Sequence, residues 1–298
     1  MTEHWATHKG NTMDLGRLGV WYGADKLTPV EWNRFVNKAE SLGYGTLWYS
    51  EARGFESMSL GSFLLSQTRK ICIGSSIANI YARDAWASRQ GLQTLSAISG
   101  NRFVLGLGVS HVPMVENLRG HTYTKPLSTM REYLGKIYAN AKDSENWPIV
   151  LAALGPRMLA LSAELTRGAV PYNVTPEHTA RAKSFLGPDN WLAVEQKVCL
   201  EETTSTARAL GRAELERYLV LPNYRRCWLS LGFTEADLDG GGSDRFIDAM
   251  VVSGSVDQIQ RRLEEHFDAG ATHVCIQPVH PAGDLDAAER TLEAFAPG

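Results

Sequence analysis

Two side chains stand where proton chemistry is convenient. His111 directly follows the apolar run Phe103–Ser110, and Glu51 directly follows the apolar run Thr46–Ser50. An imidazole titrates near neutral pH and suits general acid or base work. A carboxylate at the end of a strand can hold a proton or orient the edge of a cofactor. His111 is the first choice for the acid/base role and Glu51 the second. Each also has a plainer reading: a lone histidine is more often structural, and Glu51 could be a loop charge or an ion-pair partner of Arg53. A third group is the turn Ala153-Leu154-Gly155-Pro156-Arg157-Met158. Its glycine permits close approach of a ligand, and the free N–H groups at the following helix start can receive a phosphate. A Gly-Pro turn can equally do no more than start a helix. Within the third apolar run, Gly74-Ser75-Ser76-Ile77 weakens strand pairing. It is either a packing accommodation or a bulge pressed against a flat ring. Gly106 and Gly108 carry the same two readings. No HxH, HExxH or CxxC spacing occurs among the eight histidines and four cysteines, so no metal site is expected. The cysteines read as buried small apolar residues in a reducing compartment.

The elements that must position these groups alternate along the whole chain. Apolar runs occur at Leu18–Tyr22, Thr46–Ser50, Ile71–Ile80, Phe103–Ser110, Ile149–Leu154, Ala169–Tyr172, Trp191–Leu200 and Thr272–Pro278. Amphipathic segments separate them. One is opened by the capping box Thr28-Pro-Val-Glu31, with Trp32, Phe35, Val36 and Ala39 at helical spacing. Another is opened by Ser255-Val-Asp-Gln258, and a third by Thr175-Pro176-Glu177. After the seventh run the pattern predicts two helices, Thr204–Leu210 and Arg212–Val220. Strands that read as continuous apolar runs suit a parallel sheet covered by helices on its faces. Eight such units predict a (β/α)8 barrel, an α/β TIM-barrel fold, with active-site groups at the C-terminal strand ends. The competing open sheet requires a GxGxxG turn after its first strand. Here the chain reads Trp21-Tyr22-Gly23-Ala24-Asp25, so that motif is absent. Residues 222–254 break the repeat. They read as a helical insertion before the last unit with a mobile loop at Gly240–Gly242, and Trp228 and Phe233 as an apolar cover over the site.

With 298 residues, 44% of them hydrophobic, the chain can fill one large core. The reading is a single domain over 15–298 behind a flexible tail, 1–14. A net charge of −3 with no basic stripe argues against nucleic acid as a partner. No run of about 20 apolar residues is present, so no membrane span is expected. The N-terminus lacks an apolar leader, which points to the cytoplasm.

At these passages the sequence resembles the luciferase-like monooxygenase superfamily, and within it the coenzyme F420-dependent oxidoreductases. The resemblance rests on Arg102–His111 with Pro113, Val115-Glu116 and Leu118-Arg119-Gly120, on Ala153–Met158, and on Pro171–Thr179. It implies a luciferase-like barrel, often homodimeric, that transfers a hydride between a deazaflavin and a small organic substrate. FMN-dependent oxygenation is the first alternative, and a barrel that binds F420 or a ligand without turnover is the second. The resemblance further implies coenzyme contacts at Ser50, Ser76, Ile77, Ala78, Asn79, Gly108, Ser110, Ala153, Gly155, Pro156, Arg157, Met158 and Tyr172. A non-prolyl cis bond is implied at Ser76-Ile77, with the phosphate at Gly155–Met158. One departure matters: where sugar-phosphate dehydrogenases of this type resemble an Asp-His pair after strand two, this chain has Glu51-Ala52. It has His111 where they have a glutamate. Sugar-phosphate oxidation is therefore not implied.

Overall fold

A computed structural model describes residues 13–142 and 144–297; the tail expected over 1–14 falls largely outside the described residues. Strands β1 (Leu18–Tyr22), β2 (Thr46–Tyr49), β3 (Cys72–Ser75), β4 (Ala78–Asn79), β5 (Phe103–Gly108), β6 (Ile149–Leu151), β7 (Gly168–Ala169), β8 (Trp191–Cys199), β9 (Val251–Ser253) and β10 (His273–Pro278) all pair in parallel. The order β10-β1-β2-β3-β5-β6-β7-β8 closes through β8–β10 pairing. With β3 and β4 as two parts of one strand position, this is an eight-position barrel, as expected. The short β9 adds to the end of β8.

Alternation within each strand builds two cores. Val20, Leu47, Leu105, Ile149, Ala169, Val194 and Ile276 face the surrounding helices. Their neighbours Trp21, Trp48, Val104, Val150, Val170, Ala193 and Cys275 fill the barrel. This is the period-2 side-chain rule acting on strands buried on both faces, and it explains why the runs looked uniformly apolar. All four cysteines are buried and free.

The helices are α1 (Pro29–Ser41), α2 (Ser57–Gln67), α3 (Ala85–Ser99), α4 (Pro126–Tyr138), α5 (Pro156–Leu165), α6 (Pro176–Leu186), α7 (Thr204–Leu219), α8 (Pro222–Leu229), α9 (Glu235–Leu238), α10 (Asp244–Met250), α11 (Val256–Asp268) and α12 (Leu285–Ala294). The capping boxes at Thr28/Glu31 and Ser255/Gln258 form as expected. Thr175 also precedes a helix, but its hydroxyl makes no cap bond and is buried without a partner.

Three expectations are corrected. The two helices expected either side of Gly211 are one, α7, because the glycine sits against Ile247, where a Cβ would lie 2.8 Å from a methyl. The third strand is interrupted rather than continuous. The interruption is the cis peptide that the resemblance implied at Ser76-Ile77, and β4 then resumes pairing with β5. Gly106 faces this interruption so closely that a Cβ there would lie 2.0 Å from the Ser75 carbonyl oxygen. Finally, the helical insertion expected over 222–254 forms, but Trp228 and Phe233 do not cover the site. Trp228 is fully buried and Phe233 nearly so, and both pack on Phe246 in a separate small core with α7 and α10. Trp228 Nε1 donates to the Asn173 carbonyl at 3.0 Å. Gly240–Gly242 form a turn of left-handed residues at the end of α9.

Candidate active site

The strand ends bring the candidate residues into two groups. The first surrounds Glu51. Its carboxylate is almost completely buried and ion-paired with Arg83, not with Arg53. It also accepts the backbone N–H of Asn79 at 2.7 Å and of Ser57 at 3.2 Å. The pair therefore ties the end of β2 to β4 and to the start of α2. Ser50 Oγ accepts the Ala24 N–H at 3.2 Å, which binds the loop after β1 to the same edge. Asn79 Oδ1 accepts the Tyr81 N–H, and Ala78 is buried. Gly108 pairs with Asn79 in register, and a Cβ on it would lie 2.5 Å from Ile77. The absent side chain at 108 makes room for Ile77, which packs into the barrel filling.

The second group surrounds His111. Its Nδ1 lies 3.1 Å from Asn223 Oδ1 on α8. An amide oxygen can only accept, so Nδ1 carries the proton and Nε2 keeps its lone pair. Burial lowers the imidazole pKa below its usual 6.5, against the opposing effect of Asn223. The ring is thus a neutral base at physiological pH. The preceding residue, Ser110, is in the left-handed region at φ 57° and turns the chain out of β5. From His111 an aromatic wall runs across the C-terminal side of the barrel: Tyr224 at 5.7 Å, then Tyr218, Tyr172 and Trp21, with successive centroids 5.3, 5.4 and 4.7 Å apart. Tyr172 OH lies 2.8 Å from Gln277 Oε1, to which it donates, and 2.9 Å from Tyr218 OH.

Below Tyr172 sits a charged pair that the apolar reading of the seventh run passed over. Lys197 Nζ is 3.9 Å from the Tyr172 ring centroid, 2.5 Å from Asn173 Oδ1 and 3.2 Å from Glu195 Oε1. Glu195 also accepts the Asn173 N–H. Both residues are at least 97% buried. Burial raises the Glu195 pKa against the pull of Lys197, and lowers that of Lys197 against Glu195 and Glu214. Gln277 continues the network to Glu214. Burial would raise the Glu214 pKa, but Lys26, Lys197 and Arg217 hold it below the ordinary value. The signal was present in the sequence: two charges at i and i+2, in a strand apolar but for Gln196 between them, share one face, here the barrel interior. Asn223 offered no such signal, because it meets His111 only through tertiary packing.

Breaking the buried pair should be costly, since removing one partner leaves an uncompensated charge. Lys197→Met is expected to destabilise the fold by about 3–5 kcal/mol, and the double variant Glu195→Gln/Lys197→Met by clearly less. Urea unfolding followed by circular dichroism measures both. Equal losses in the two variants would remove the charge pair from the account.

The turn after β6 supplies a third, exposed element. Gly155, Pro156 and Arg157 are exposed, Met158 is half-buried and Ala153 is buried. No side chain caps the start of α5, and nothing lies within 4 Å of where a Gly155 Cβ would be. The Leu154 carbonyl is anchored by His178 Nε2 at 2.8 Å.

Comparison with known proteins places these features in context. Residues 9–139 match the luciferase-like monooxygenase family. A Mycobacterium tuberculosis protein named as a coenzyme F420-dependent oxidoreductase is 30% identical over 209 residues, covering 58% of this chain and 59% of that protein, less than two thirds of its length. The 5,10-methylenetetrahydromethanopterin reductase of Archaeoglobus fulgidus is 27% identical, covering 89% of this chain and 94% of its own. Among solved structures, the coenzyme F420-dependent tetrahydromethanopterin reductase of Methanopyrus kandleri superposes with a TM-score of 0.72 at 18% identity, covering 94% and 97% of the two chains. The oxygenating constituent of 3,6-diketocamphane monooxygenase from Pseudomonas putida, in complex with FMN, superposes with 0.69 at 16% identity, covering 94% and 96%. At such identities the two structures share the fold.

Proposed function

We propose that this chain, whose residues 9–139 match the luciferase-like monooxygenase family, is a coenzyme F420-dependent oxidoreductase of that superfamily acting on a small organic substrate. The observation that carries this reading is the wall Trp21–Tyr172–Tyr218–Tyr224, which ends at a neutral His111 with a free Nε2. These rings meet tilted or edge-on, with Trp21 and Tyr224 buried, so the half-buried Tyr172 is the member placed to meet a flat ring. The buried Trp21 Nε1 and Asn173 Nδ2 are donors without partners, and the uncapped start of α5 with Arg157 suits a phosphate. The donor set therefore fits a deazaflavin with an anionic side chain. Of the expected contacts, Ser76, Ile77, Tyr172 and Gly155–Met158 would hold it. Ser50, Ala78, Asn79 and Gly108 would shape the backbone beneath. When bound, the coenzyme supplies or accepts a hydride at its carbon 5. His111 Nε2 receives the substrate proton that accompanies hydride loss, and returns it in reverse. Asn223 holds the ring in the tautomer that does this. Glu51, committed to Arg83 and two backbone donors, positions β2 against β4 rather than handling the proton. The F420-named relative supports this coenzyme, and the FMN-bound structural neighbour supports the second reading, flavin-dependent oxygenation.

Titrating the pure protein with F420 and with FMN, by fluorescence quenching, tests the choice. Saturable F420 binding with hydride exchange to an alcohol or carbonyl panel is expected. FMN binding without F420 binding would replace the first reading with the second. Tight F420 binding without any turnover would favour a binding protein. We also read the chain as a homodimer, to be checked by light scattering, and as cytoplasmic, to be checked by cell fractionation. Among the described residues no helix is long and apolar enough to cross a membrane.

A further inference from the structure

A cavity of about 430 Å³ opens between the loop after β2, the starts of α2 and α3, and the loop after β5. It lies beyond the Glu51–Arg83 pair and outside the aromatic wall. Arg53, Arg83 and Arg119 line it together with Glu51, Glu56 and Phe55. The two carboxylates are already satisfied. Glu51 is held by Arg83 and two backbone N–H groups. Glu56 caps α2 through the Met58 and Ser59 N–H groups and also takes Arg83. The nearby Asp25 is occupied by the N–H groups of Arg53 and Gly54, at 3.0 and 2.9 Å. Arg83 is consumed in turn. Arg53 and Arg119 remain: among the described residues neither guanidinium has an ion-pair or hydrogen-bond partner, and Arg119 Nε is buried with none. Three guanidiniums against two carboxylates leave the lining positive. A buried, unpaired guanidinium nitrogen beside a cavity asks for an acceptor, because its desolvation is otherwise uncompensated.

We propose that this cavity is a subsite for an anionic oxyacid group, a carboxylate or a phosphate, gripped by Arg53 and Arg119. Guanidinium forks match such groups through paired charge-assisted hydrogen bonds. The occupant belongs either to the part of the coenzyme side chain beyond the phosphate placed at α5, or to the substrate. The coenzyme arm rests on the F420 reading above; the anion arm does not.

The experiment is calorimetry on the full chain with three probes: inorganic phosphate, F420, and the deazaflavin riboside that lacks the phosphate-bearing side chain. The parent is compared with Arg53→Gln/Arg119→Gln and with Arg119→Lys, after thermal melting shows that each is folded. If the coenzyme side chain is the occupant, the double variant loses about tenfold or more in F420 affinity and nothing for the riboside. If the substrate supplies the anion, F420 binding is unchanged while phosphate binding falls by about the same factor. Arg119→Lys, with Arg53 intact, loses less than the double variant, because it keeps the charge but not the fork. A double variant that binds phosphate and F420 as the parent does overturns the subsite. A parent that binds no deazaflavin overturns the coenzyme reading instead, and the phosphate titration still decides the cavity.

Discussion

His111→Ala lowers the rate of hydride exchange by about 10²–10⁴-fold, the range expected for losing a positioned acid/base group, while the dissociation constant for the coenzyme moves by less than about threefold. Stopped-flow turnover and fluorescence titration measure the two separately. The pH profile carries the mechanism. Burial lowers the His111 pKa, so the neutral base persists below pH 6.5. The rate is therefore flat across neutral pH and falls only as pH drops through that lowered value. Asn223→Asp places a carboxylate beside Nδ1, which favours the imidazolium. The acid limb then moves to higher pH. A rate unchanged in His111→Ala, or a limb that Asn223→Asp does not move, removes His111 from the chemistry.

The second large effect is on stability in acid. Burial pushes His178 down to about 4, His266 to about 3 and His273 to about 4. Each is held as one neutral tautomer. His273 Nε2 accepts from the Trp48 indole at 3.0 Å, and its Nδ1 lies 2.7 Å from the Gly16 carbonyl, to which it donates. His266 lies between Thr179 and Gln196, and His178 donates to Leu154. A proton added to His273 Nε2 would face the indole N–H, a donor with no acceptor to offer. The unfolded chain takes these protons near pH 6.5, but the folded chain takes them only near 3 to 4. Between those values the unfolded state binds more protons, so the stabilisation is complete above pH 6.5 and is lost as pH falls. With three such groups the slope near pH 5 approaches about 4 kcal/mol per pH unit. Urea midpoints measured from pH 7 to 4.5 give this slope directly. A flat profile down to pH 5 would mean that the histidines are not sequestered as described.

Much of this molecule was legible before its structure. Eight apolar runs, the capping boxes at Thr28 and Ser255 and the missing glycine turn after β1 pointed to a closed barrel, and the chain closes one. Hydrophobic periodicity and capping act within a few residues, so they are written in local sequence. The ends of the strands, and with them His111 and Glu51, followed from the same local pattern. The lumen pair Glu195 and Lys197 was legible too, had the i, i+2 spacing been weighed against the apolar run around it.

Partners were another matter. Glu51 met Arg83, 32 residues away, and not the adjacent Arg53. His111 met Asn223, 112 residues away. Trp228 and Phe233, expected over the mouth, were drawn into a second core by Phe246. Which charge a carboxylate finds, and which face an aromatic buries, depends on distances between elements that are far apart in the chain. Those distances exist only once barrel closure has fixed the strand order. Local periodicity carried the barrel and its strand ends; packing between distant elements leaves His111 a free nitrogen and leaves Glu51 no free oxygen.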